Sequence, residues 1–180
     1  MTKSRLSIHG LILITPNILK DDRGYFFESY RESELISEMN GASFVQENES
    51  LSNKGVLRGL HLQSPPFGQA KLVRVVRGRI LDIAVDVRKN SATYGQHVMI
   101  ELNESDKQSF LIPEGFAHGF VCLEDQTVVQ YKCSSYYKKE SESGVRWDDP
   151  ELGIEWPQMD FIISDKDKQL PYLRDFVSPY

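Results

Sequence analysis

A chain of 180 residues matches one generous domain and can bury roughly 70% of its unfolded surface without a disulfide or metal staple. Its 21 basic and 26 acidic residues leave a net charge of −5, which excludes a nucleic-acid binder acting through bulk charge. Two cysteines exclude a secreted disulfide scaffold. The apolar run Leu11 to Ile14 is too short for a signal-peptide core, and no longer run is fit to cross a bilayer. The expected setting is a reducing cytoplasm, with no membrane and no nucleic acid as partner.

In chain order, Leu11–Thr15 reads as a strand, and Gly24–Tyr30 as a second, opened by the turn signal Asp21-Asp22-Arg23-Gly24. Arg31 to Asn40 reads as a helix: Leu35, Ile36 and Met39 fall at helical spacing, and Asn40-Gly41 supplies a stop. Strands then recur at short intervals: Phe44–Leu51, Val56–Gln63, Ala70–Val76, Arg79–Arg88, Gln96–Leu102, Gln108–Pro113, His118–Leu123 and Thr127–Cys133. Large apolar residues hold the odd positions from Leu81 to Val87, while Asp82, Ala84 and Asp86 hold the even ones. That period of two predicts one packed face and one polar or small face. Many short strands with glycine-marked turns predict a mostly β sandwich or barrel. The tail is less regular, with turns at Trp147–Pro150 and Trp156-Pro157 and a short helix start over Ser164 to Gln169.

Of the four histidines, His9 and His97 read as surface residues. His61 and His118 each lie in a strand beside glycine, which lets a small barrel point a polar side chain inward without crowding. A metal site would want a His-x-His pair with further ligands, but this chain has His61-Leu62-Gln63, and glutamine is a poor ligand for transition metals. Asp82 and Asp86 are substitutes that arginine or lysine would more often balance. Arg23, Arg58, Lys71 and Arg74 lie in or beside strands and suit an anionic ligand, although Arg74 reads as an exposed barrel residue. Tyr131, Tyr136 and Tyr137 offer phenols or stacking faces. Cys122 and Cys133 sit among apolar strand residues and read as core.

The motifs become specific when taken together. Asp22-Arg23-Gly24-Tyr25-Phe26-Phe27-Glu28, Val45-Gln46-Glu47-Asn48, Gly55-Val56-Leu57-Arg58-Gly59-Leu60-His61, Gln69-Ala70-Lys71-Leu72-Val73, Asp82 to Arg88, Pro113 to Phe120, Tyr131-Lys132 and Tyr136-Tyr137 run in order across the chain. In these stretches it resembles the dTDP-4-dehydrorhamnose 3,5-epimerases, enzymes of the cupin fold. The resemblance implies a cupin-type jelly-roll with an N-terminal dimerisation arm to about residue 50, a barrel over about 51–135 and a tail over about 136–180. It implies dTDP-4-keto-6-deoxyglucose as substrate, no cofactor and no metal, and a homodimer that exchanges arms.

Residue by residue, the resemblance makes His61 the base, held by Asp167, with Lys71 against the charge that develops on O4 and Tyr131 as the acid. Arg58 and His118 would line the sugar and phosphate region, with Gln46, Asn48, Glu142 and Lys166 as further binding positions. Tyr137 would stack on the thymine, Tyr136 being the less favoured candidate. Arg23, Phe26 and Glu28 belong to the arm that reaches into the neighbouring subunit's site. Three places depart from the commonest pattern: Phe67-Gly68, Gln130 and Ser143-Gly144. Three rival readings remain: an epimerase acting at C3 or C5 alone, a metal-dependent cupin oxygenase, and a non-catalytic sugar-nucleotide binding module.

Overall fold

A computed structural model describes residues 1–180. The strands are β1 (Thr2–Arg5), β2 (Ile12–Thr15), β3 (Leu19–Asp21), β4 (Gly24–Phe26), β5 (Gln46–Ser52), β6 (Val56–Gln63) and β7 (Lys71–Arg77). They continue as β8 (Arg79–Asp86), β9 (His97–Asn103), β10 (Ser109–Ile112), β11 (Phe116–Cys122), β12 (Thr127–Cys133), β13 (Glu142–Gly144) and β14 (Ile162–Ile163). Two four-residue helices accompany them, α1 (Glu32–Leu35) and α2 (Asp165–Lys168). The first sheet has the order β1-β2-β10-β7-β12-β5 and the second β13-β6-β11-β8-β9, while β3 and β4 form a separate hairpin. No helix is long and apolar enough to cross a membrane.

Four layers follow from where the apolar residues go. Val73, Val75, Phe110 and Val129 of the first sheet meet Ile80, Ala84, Phe116 and Phe120 of the second, filling the space between the sheets. Outside the first sheet, Leu35 and Met39 pack on Ile12, Ile14, Leu72 and Leu111. Outside the second, the tail covers Leu60, Ile83 and Val85 with Val145, Leu152 and Phe176. Both sheets are therefore covered on their two faces, the condition under which a polar residue inside a strand is buried whichever way it points.

That covering gives the two faces of β8 different surroundings. Along β8 the odd-numbered Ile83 and Val85 face outward, under the tail, whereas Ile80 and Ala84 face the barrel interior. Asp82 and Asp86 are both fully buried, so the polar face of this strand is no solvent face. Asp86 is matched by Arg88 at 2.7 Å together with the hydroxyls of Ser91 and Thr93, and these bonds hold its carboxyl down at about 2 despite burial.

Several boundaries also differ from the sequence reading. The strand expected over Gly24–Tyr30 stops at Phe26, and Tyr30 packs edge-on against Phe44 at 5.7 Å instead. The expected helix over Arg31–Asn40 is helical only to Leu35 and tightens to a 3-10 turn over Ile36–Met39, ended by Asn40 at φ 53°. The strand expected to begin at Phe44 begins at Gln46. Strands β1, β3, β13 and β14 carry no alternation long enough to read.

Candidate active site

The cleft begins with an irregularity in β6. His61 pairs with His118 across the β6–β11 ladder and Arg58 pairs with Phe120, so two residues of β6 oppose one of β11. Strict alternation would put Arg58 and His61 on opposite faces; the extra residue puts both on the cleft. Glycine is required here. Gly59 has φ 129°, and a Cβ on it would lie 2.6 Å from Gly119 Cα.

The cleft is a cavity of about 510 Å³ lined by Arg58, His61, Lys71, His118, Tyr131, Glu142, Lys166 and Asp167. It opens into a second lobe of about 470 Å³, which adds Gln46, Asn48, Cys133 and Tyr137. His61 Nε2 lies 2.8 Å from Asp167 Oδ1, and the Gly59 amide donates to Asp167 Oδ2 at 3.1 Å. Asp167 comes from α2, whose N-cap Ser164 accepts from its amide. Burial works against the charge on Asp167, but His61, the Gly59 amide and Ser164 hold its carboxyl below the ordinary range. With that carboxylate ionised, Nε2 is the donor and Nδ1 keeps the lone pair of a neutral ring.

Lys71 enters from β7 on the opposite sheet and donates to the His61 carbonyl at 3.4 Å. Burial lowers its pKa, opposed by the nearby Cys133, Asp82 and Glu142. Tyr131, also from the first sheet, has its phenol raised, chiefly by burial. His118 is buried with Nε2 at 2.8 Å from Asp82 Oδ1. Burial pushes that imidazole down and the Asp82 carboxyl up. In the second lobe, Gln46 donates to Asn48 at 3.0 Å and accepts from the Tyr137 amide at 3.0 Å. Glu142 accepts from Tyr137 OH at 2.9 Å and from Lys166 at 2.6 Å, and these bonds outweigh burial to lower its pKa. Arg58 donates to Ser52 at 3.1 Å.

Eleven of the fourteen candidate residues thus meet at one cleft. Arg23, Phe26 and Glu28 do not. Arg23 pairs with Asp21 and Glu28 with Arg31, while Phe26 is 69% exposed on the β3–β4 hairpin. Tyr136 is exposed and lines neither lobe, unlike Tyr137. His97, expected at the surface, is half-buried. Arg74 lies outside the cleft, bonded to Gln130 at 2.6 Å and over the Phe27 ring. Gln63 donates to the Phe67 and Tyr136 carbonyls and accepts from the Lys138 amide, so it ties loops together. No three His, Cys, Asp or Glu side chains converge as a metal site. Asp82 is the residue that sequence reasoning missed as part of the site. Its signal was present, a polar even position one strand away from His118.

An imidazole on one sheet, held by a carboxylate from the tail helix and facing a phenol and an amine from the other sheet inside a jelly-roll, fits an acid–base enzyme of the cupin class. The family profile described as dTDP-4-dehydrorhamnose 3,5-epimerase matches residues 5–175. The chain belongs to that family. It is 50% identical over 176 residues to the dTDP-4-dehydrorhamnose 3,5-epimerase of Methanothermobacter thermautotrophicus, covering 95% of this chain and 94% of that one. A crystal structure of dTDP-6-deoxy-D-glucose-3,5-epimerase from Legionella pneumophila, in complex with dTDP-4-keto-L-rhamnose, superposes with a TM-score of 0.93. It is 41% identical, over 98% of this chain and 94% of that one. A 3'-monoepimerase from Streptomyces bikiniensis in complex with dTDP-quinovose has a TM-score of 0.89 at 35% identity, over 94% of this chain and 86% of that one.

Proposed function

We propose that the protein epimerises dTDP-4-dehydro-6-deoxy-D-glucose at C3 and C5 to dTDP-4-dehydro-L-rhamnose, a step of dTDP-L-rhamnose biosynthesis. The observation that carries the reading is the opposition of His61 on β6 and Tyr131 on β12, from two different sheets, across one cavity. Inversion needs removal of a proton from one face and its return on the other. Both C3 and C5 adjoin the C4 ketone. His61 Nδ1 takes the proton, the C–H electron pair moves into the enolate, and the charge rests on O4. Lys71 lies where an ammonium stabilises that oxygen. Tyr131 returns a proton to the opposite face and regains its own from solvent as His61 releases the one it took. Asp167 stabilises the imidazolium in between.

The binding roles extend this reading. Arg58, His118 and Lys166 supply positive or donor groups for the diphosphate and sugar. Gln46, Asn48 and Glu142 supply hydrogen bonds, and Tyr137 a stacking face for thymine. Residues 1–180 then act as one domain, with an arm to about 50, a barrel over about 51–135 and a tail over about 136–180. Arg23, Phe26 and Glu28 complete the cleft of a second copy in a homodimer. Support for that is a hairpin on which Leu19, Tyr25 and Phe26 are all more than half exposed in their own chain. Two free cysteines suit a reducing cytoplasm.

The test is incubation of metal-free protein with dTDP-4-keto-6-deoxyglucose in deuterated water. Deuterium is expected at both C3 and C5 without added cofactor, and His61→Ala is expected to lose the exchange with its fold intact. Label at one carbon alone would make the protein a monoepimerase. Exchange that appears only on adding iron would overturn the acid–base account.

A further inference from the structure

We infer that Tyr180 is a positioning residue for the loop that carries Tyr137, acting through Gln63 from a space that Gly68 leaves open. The inference rests on the reading above only in taking Tyr137 as the face that receives the nucleotide base.

Three observations converge on it. First, the Tyr180 hydroxyl donates to the Gln63 carbonyl at 2.6 Å, at the end of β6, two residues beyond His61. Second, the Gln63 side chain is spent entirely on two loops. Its amide nitrogen donates to the Phe67 carbonyl at 2.7 Å and the Tyr136 carbonyl at 3.2 Å, and its oxygen accepts from the Lys138 amide at 2.6 Å. The bonds to Tyr136 and Lys138 bracket Tyr137. Third, Gly68 is not among the glycines with positive φ, so its backbone alone does not call for glycine. A Cβ there would nevertheless overlap the Tyr180 hydroxyl and Glu114 Oε2, and would lie 2.8 Å from Glu114 Cδ. The glycine makes room for the tyrosine.

Tyr180 is itself held. Its carbonyl accepts from the Lys89 amide at 2.9 Å, and its ring packs beside the cluster that contains Phe176. A fixed hydroxyl on the Gln63 carbonyl fixes the strand end from which the amide reaches both loops. Burial, and after it Glu114, raises the phenol, so the donor proton is retained at neutral pH. Neither Tyr180 nor Gly68 lines the cleft. Loss of the clamp should therefore weaken nucleotide binding without slowing the proton transfers.

Hydrogen exchange of the intact protein, calorimetry with dTDP, and turnover at saturating substrate test this together. In Tyr180→Phe, the amides of residues 134–138, Lys138 above all, should exchange faster. The Kd for dTDP should rise about fivefold, the equivalent of one net hydrogen bond, with kcat unchanged. Gly68→Ala should weaken dTDP binding in the parent and do so less in a Tyr180→Ala background, where only Glu114 still meets the added Cβ. Unchanged exchange over residues 134–138 in Tyr180→Phe would overturn the inference. So would Gly68→Ala being equally harmful with and without the tyrosine. A parent protein that fails to bind dTDP would instead sink the nucleotide reading, while the exchange data still decide the clamp.

Discussion

At the scale of single residues, the site sets two proton carriers in different electrical surroundings. Asp167 is held below the ordinary carboxylate range and stays charged throughout the neutral region. Tyr131 is raised above 10.0 and Lys71 is lowered from 10.5, each chiefly by burial. Burial thus moves the two in opposite senses, easing proton loss from Lys71 and resisting it at Tyr131. In the proposed mechanism the ammonium supports the enolate only below its own pKa, so the alkaline limb of the pH–rate profile is expected to follow the lysine. Lys71→Arg should lower the rate yet move that limb upward, because guanidinium stays charged. Rates of deuterium wash-in between pH 7 and 11 check this; a limb that stays in place would assign it to the phenol.

At the scale of elements, β6 decides which residues meet. Its extra residue at Gly59-Leu60 turns Arg58 and His61 onto one face, and the Gly59–Gly119 approach leaves no space for a side chain. Gly59→Ala should cost about 2–3 kcal/mol from the unfavourable φ and the backbone clash combined, read as a drop in midpoint in urea unfolding. A variant as stable as the parent would show that the strand can realign without the glycine. Sequence alone reached the glycine-flanked histidines and ten of the fourteen strands, because both are local. It did not reach the bulge, which depends on register with β11, nor the inward turn of Asp82 on β8. Alternation reports that a strand has two faces; only the tail packed over Ile83 and Val85 determines which one is outside. The motif resemblance supplied what periodicity could not, by bringing Asp167 to His61 across the length of the chain.

For the whole molecule, a single chain has a cleft and, apart from it, an exposed aromatic hairpin. The arm-exchange reading predicts a dimer by sedimentation. It also predicts that Phe26→Ala and Arg23→Ala weaken dTDP binding several-fold while the melting temperature changes little, since both side chains are exposed in their own chain. A monomer that binds dTDP as tightly as the parent dimer would remove the arm from the site. The tail has a different importance. Asp167 lies 106 residues beyond the histidine it holds. The barrel strands from β5 to β12 precede it in the chain, and nothing within them replaces its carboxylate beside His61. Long-range closure of this kind comes late in folding, because the loop must be ordered before the contact rewards it. Both tryptophans, Trp147 and Trp156, lie on that same covering segment and pack edge-on with Phe161. Their fluorescence therefore reports tail docking, and with it the moment at which a folded barrel acquires the carboxylate partner of His61.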